Sequence, residues 1–156
     1  MTTRPKFTKQ TVLPAIEATT IEAALDELLG VCAEAYGFGD DVRKLVRNTL
    51  KRKAEQGATG AIGHGVAVPH VKVAGVEQTS VVFARSEVGI DFGAPDGAPV
   101  NLVFFVVGPE EAPEAHLDFM RWVATISRSA DFRRFAAACK GEKELRELLE
   151  EMGDSA

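Results

Sequence analysis

The chain has 156 residues, of which 46% are hydrophobic and 26% charged, and its 18 basic and 23 acidic side chains give a formal net charge of −5. That size and balance suit one soluble domain with a sizeable core. They argue against a nucleic-acid binder, which would carry a basic patch or balance, and no apolar run is long enough to cross a membrane.

The opening stretch MTTRPKFTKQ has charges but no apolar core behind them, so it does not read as a secretory signal and a cytoplasmic location is expected. Cys32 and Cys139 lie far apart in sequence and read as small buried apolar side chains in a reducing compartment, with a disulfide left open. Residues 1–7 are expected to form a flexible arm, 8–152 one domain and 153–156 a tail.

Thr11 to Ala18 is expected as an edge strand, since Pro14 suits an edge and not a sheet centre. Thr19 and Glu22 have capping-box spacing. Ile21, Ala24, Leu25, Leu28, Leu29 and Cys32 then recur at helical spacing, which predicts a helix to about Tyr36, stopped by Gly37 and Gly39. Asp40 or Asp41 can cap a second helix with Val42, Leu45, Val46, Thr49 and Leu50 on one face. Its basic end, Lys51, Arg52 and Lys53, either complements the helix dipole or faces an anion in the loop that follows.

Val66 to Val68 reads as a short buried strand ending at Pro69-His70. Thr79 to Arg85 and Val88 to Phe92 read as two strands, and Ala94 to Pro99 as a turn. Val100 to Val107 is the most continuous apolar run and predicts a central strand buried on both faces, ended by Gly108-Pro109. Pro113 sits at an expected first helical position. A long helix from there, a short one around Phe132 to Ala138 and an amphipathic one over Glu142 to Met152 complete the chain. The fold class predicted is α/β: a single-domain sandwich, with a mixed parallel/antiparallel sheet flanked by helices on both faces. The short strand spacing after residue 79 requires part of the sheet to be antiparallel.

The chemistry concentrates in Gly57 to Lys72, GATGAIGHGVAVPHVK, which holds Gly57, Gly60, Gly63, Gly65, His64 and His70. Such glycines let successive main-chain N–H groups close on an anion. Pro69 restricts the backbone on either side of itself, so His70 is presented rigidly, and a neutral imidazole beside an anion nest can hold a phosphoryl group on nitrogen. From the residues alone His70 reads equally as a structural loop histidine. His116 lies at the edge of its helix's apolar face, where a lone histidine is usually a satisfied core or boundary residue. The loop lacks the Gly-Lys-Ser/Thr close of a Walker loop, and its glycines lead into a strand, unlike a dinucleotide-binding fingerprint. His64, His70 and His116 could supply three zinc ligands, but no acidic or Cys ligand stands at a recognisable spacing, so no metal is expected.

TGAIGHGVAVPH resembles the active-site segment of the type-2 enzyme IIA domains of the bacterial phosphoenolpyruvate-dependent sugar phosphotransferase system, in its fructose/mannitol and nitrogen-regulatory branches. DGAPVNLVFFVVGPEEAPEAHLDFMRWVATISR resembles the second block of that family, and the two blocks in order make the resemblance specific. The resemblance implies His70 as phosphoryl acceptor and His116 as the second active-site histidine. It implies an HPr-like phosphocarrier as donor and an enzyme IIB or a regulated protein as recipient, with no cofactor. Gly63, His64 and Gly65 are expected to bind phosphate, together with Lys53 or Arg52 in the place of a family arginine. A homodimer is left open, and the lack of a IIB or IIC segment in this chain tilts toward regulation. Two departures stand out: a residue, Ala61, looks inserted, and His64 occupies a position that is often Asn.

Overall fold

The computed structural model describes residues 5–155 and consists of one six-stranded mixed sheet with helices on both faces. The sheet is built on its most apolar strand. β6 (Val100–Pro109) lies in the middle and is buried almost throughout. Along one edge it pairs antiparallel with β5 (Ser80–Ile90), which β1 (Val12–Leu13) flanks in parallel. Along its other edge lie two short parallel strands in succession, β3 (Val66–Ala67) and then β4 (His70–Val73). β2 (Ala61–Gly63) folds back on β3 and closes that side.

Alternation along β6 separates two cores. Val103, Phe105 and Val107 pack with α1 (Ile21–Tyr36) and α2 (Asp40–Glu55). Leu102, Phe104 and Val106 face α3 (Glu114–Ser127), α4 (Ala130–Ala138) and α5 (Glu142–Ser155). At about 25 cal/mol per Å², buried side chains such as Phe83, Phe104 and Phe132 each contribute roughly 1.5–3 kcal/mol relative to exposure. The predicted layers and the central strand are therefore those observed.

Several boundaries differ, each for a local reason. The expected strand over Thr11 to Ala18 shrinks to β1, which ends before Pro14. α1 is capped by Thr20, whose hydroxyl accepts the Ala23 N–H at 3.3 Å, one residue after the expected Thr19. Gly39 and not an aspartate caps α2, so Asp40 and Asp41 sit in the first turn, where their charge suits the positive pole. Pro113 is the cap of α3 rather than its first residue. The two strands expected over 79–92 are one strand whose pairing slips between Arg85 and Ile90. β2 and β4 were not expected, because each is too short to show periodicity.

Near Ala61 the pairing is irregular: Ala61 pairs with Ala67 and Gly63 with Val66, leaving Ile62 between them as a bulge, about half exposed. Of the arm expected over 1–7, residues 1–4 lie outside the described residues. Phe7 packs against Phe104 and Trp122 at ring-centroid distances of 6.4 and 5.9 Å. α5 runs on to Ser155, through most of the expected tail.

Candidate functional site

The site forms where β4 meets the end of β6. The Pro69 carbonyl accepts the Val106 N–H at 3.0 Å, which pins the Pro69-His70 pair to the central strand. His70 is in register with Val106 and Lys72 with Gly108. Register partners on neighbouring strands share a face, so the His70 and Lys72 side chains lie on the α3 side of the sheet while Val71 and Val73 enter the opposite core.

His70 Nδ1 lies 2.8 Å from the Val68 carbonyl. A carbonyl only accepts, so Nδ1 carries the proton and donates it there, leaving the Nε2 lone pair free. The ring is thus fixed in one tautomer by its own loop, with the residue exposed. Beneath it, Lys53 Nζ donates to the His70 carbonyl at 3.0 Å. Arg52, exposed beside it, makes no side-chain bond to a described residue.

His116 comes from the first turn of α3 and is only 3% exposed. Its ring lies flat over Gly108: a Cβ there would fall 2.3 Å from the imidazole. The diagonal from Gly108 to His70 spans roughly 8 Å between Cα atoms, from strand spacing and rise. Nδ1 of His116 shares a 2.9 Å hydrogen bond with the Thr79 hydroxyl. Burial, and then the neighbouring Lys72 and His70, hold the His116 imidazole below the usual histidine range, so it favours the neutral form.

His70, His116 and Lys53 are therefore brought together. The Gly63–Gly65 turn is not. It joins β2 to β3, and its Gly65 carbonyl accepts the N–H groups of Asn101 and Leu102 at 2.8 and 3.0 Å, near the start of β6. From Asn101 to Val106 is roughly 16 Å of strand. His64, at φ 56°, gives its N–H to Asp96 Oδ2 at 2.9 Å. The N–H groups of His64 and Ala98 hold Asp96 below the usual carboxylate range.

Sequence reasoning missed Lys72, Thr79 and Gly108. Lys72 was legible in principle, since two residues past His70 on a strand means the same face. Thr79 carried no local signal, being 37 residues from its partner His116. Gly108 read as a strand stop, whereas it makes room for a ring. Among the described residues no group of three or more His, Cys, Asp or Glu side chains could hold a metal, and no helix is long and apolar enough to cross a membrane.

Residues 6–152 match the family profile described as phosphoenolpyruvate-dependent sugar phosphotransferase system, EIIA 2. A nitrogen regulatory protein of Bradyrhizobium diazoefficiens is 33% identical over 140 residues, covering 90% of this chain and 89% of that protein. The fructose-specific EIIABC component of Bacillus subtilis is 29% identical over 143 residues, 92% of this chain; the chain spans only 22% of that longer protein. Among solved structures, the nitrogen regulatory protein IIA-Ntr of Neisseria meningitidis superposes with a TM-score of 0.77 at 26% identity, covering 91% of this chain and 94% of its own.

Proposed function

The chain belongs to the enzyme IIA type 2 family of the phosphoenolpyruvate-dependent sugar phosphotransferase system, and on that premise we propose that it carries a phosphoryl group on His70 Nε2. The observation that carries this reading is the 2.8 Å bond from His70 Nδ1 to the Val68 carbonyl, which commits one ring nitrogen and leaves the other as a nucleophile.

Phosphoryl transfer needs little from the protein beyond position and charge. The donor is a phosphohistidine on an HPr-like carrier. His70 Nε2 bonds to phosphorus as the donor's P–N bond breaks, and that electron pair returns to the donor's imidazole. The proton stays on Nδ1, donated to the Val68 carbonyl, and the phosphohistidine keeps its orientation. Lys72, on the same face, and the N-terminal pole of α3 supply positive potential to the phosphoryl oxygens. When the Thr79 hydroxyl donates to His116 Nδ1, Nε2–H of that ring is left as a donor toward the phosphoryl group. Lys53 supports the site from behind, through the His70 carbonyl. Passage onward to an enzyme IIB runs the same step in reverse.

The test is phosphorylation from phosphoenolpyruvate through enzyme I and an HPr, read by intact mass. The expected result is one acid-labile, base-stable phosphoryl group on wild type and none on His70→Ala. No gain on wild type overturns the carrier reading, and a gain kept by His70→Ala overturns the site.

A second reading is regulatory, the phosphorylation state of His70 controlling a partner protein. The relative named a nitrogen regulatory protein is matched along nearly its full length, which favours it. Phosphate accepted at His70 but taken by no enzyme IIB decides for regulation.

A further inference from the structure

Arg85 is a charged side chain in the core of β5, 8% exposed. Its Nε donates to the Pro14 carbonyl at 3.0 Å, and its Nη1 to the Ala136 and Cys139 carbonyls at 2.9 and 2.6 Å. The last two belong to the C-terminal turn of α4, whose negative pole suits a cation. Among the described residues Nη2 has no acceptor and no carboxylate pairs with the guanidinium. A buried cation without a counter-ion is costly, and an anion brought to the free edge of the fork lowers that cost.

Arg85 also lines a cleft of about 610 Å³ between the Gly63–Gly65 turn and α4, a size that holds a metabolite. Arg133 enters it from α4, Lys140 from the segment after α4, His64 from the turn and Asn101 from the start of β6. Arg133 uses Nη1 on the Ser127 carbonyl at 3.0 Å, and the Lys140 ammonium bonds to no described residue. Glu87 is the acidic residue of the lining; Asp96 lies outside it, with its oxygens on the N–H groups of His64 and Ala98. The cationic side chains of Arg85, Arg133 and Lys140 thus line the cleft with one carboxylate, Glu87, while the Glu144 carboxylate just outside accepts the Lys140 main-chain N–H at 3.2 Å.

We propose that this cleft is a second anion site that binds the dianion of a phosphate monoester, at the opposite end of β6 from His70. A dianion matches the surplus of positive charge better than a monocarboxylate does, and the guanidinium fork suits phosphate oxygens. The rest of the cleft accommodates the polar body to which the phosphate is attached. This site does not depend on phosphoryl transfer at His70.

The experiment is an amide NMR titration of the full chain with glucose 6-phosphate at constant ionic strength. Glucose and inorganic phosphate are titrated in parallel. The expected result is saturable shifts at Gly65, Asn101 and Lys140 with a Kd of about 1 mM or tighter. Arg133→Gln combined with Lys140→Gln weakens binding at least about tenfold, equal to about 1.4 kcal/mol, and leaves phosphorylation of His70 unchanged. The same shifts persist in His70→Ala. Shifts confined to the surroundings of His70 and His116, no saturation at the three amides, or unchanged binding by the double variant each overturn the site. Inorganic phosphate binding as tightly as glucose 6-phosphate overturns the assignment to a monoester.

Discussion

The Nδ1 bond of His70 has a consequence that can be measured residue by residue. In the proposed transfer His70 Nε2 reacts with the ring held in this tautomer, and its neighbours, His116 foremost, act on the phosphoryl group. Replacing His116 by Ala removes one donor to the phosphoryl group and is expected to slow transfer about 10²-fold with the fold intact by circular dichroism; an unchanged rate makes His116 structural. Thr79→Val removes one hydrogen bond from His116 and should slow transfer about 3–10-fold, an effect absent in a His116→Ala background. Gly108→Ala places a Cβ 2.3 Å from the His116 ring. It should cost about 1–3 kcal/mol in denaturant unfolding and depress transfer like His116→Ala; wild-type behaviour in both would show that the ring does not need that surface. His116 also links pH to stability. Its folded pKa lies below the unfolded value of about 6.5, so the unfolded chain binds the extra proton first. Its contribution is complete above about pH 6.5 and is lost as pH falls through the folded value. Wild type should therefore lose stability relative to His116→Gln between about pH 7 and 5, as urea midpoints at each pH would show, and parallel curves would contradict it.

Among the elements, β4 does the most with the least. It is four residues long, yet its pairing to β6 determines which face His70 and Lys72 occupy. The segment leading into it is held at Gly60, which has φ 86° and whose added Cβ would meet the Val68 carbonyl and Pro69 nitrogen at 2.6 Å. Gly60→Ala should thus be more damaging than a surface change, lowering stability by about 1–3 kcal/mol and disturbing the His70 ring signals in NMR; intact ring signals would argue against this coupling. The helices, the central strand and the Pro69-His70 pair were legible in the sequence, because periodicity and proline act locally. β2 and β4 were not, because their short segments are strands only when β6 is beside them. The capping shifts from Thr19 to Thr20 and from Asp40 to Gly39 have the same origin: several suitable residues stand together, and packing selects one. The anion nest was sought in the glycine turn, where the residues suggested it, but distance along β6 separates that turn from His70.

At the scale of the molecule, one sheet serves two cores, and the two free cysteines report on them separately. Cys32 is fully buried under α1 and burial pushes its thiol up to about 12, while Cys139, half-buried beside α4, is also raised by burial. A thiol reagent at pH 8 should label Cys139 slowly in the native protein and Cys32 only at the rate of global opening. Rapid labelling of Cys32 in native buffer would mean that the α1/α2 layer detaches alone. The bulge at Ile62 finally has a meaning for lineage rather than for energy. The chain passes Gly65, regains register at Val66 and is locked again at Pro69 before His70 is reached, so the irregularity upstream does not shift His70 along β6. On the proposed carrier reading, hairpin length is therefore expected to be a neutral variable for phosphoryl chemistry, its tip free to differ between relatives while His70 keeps its place.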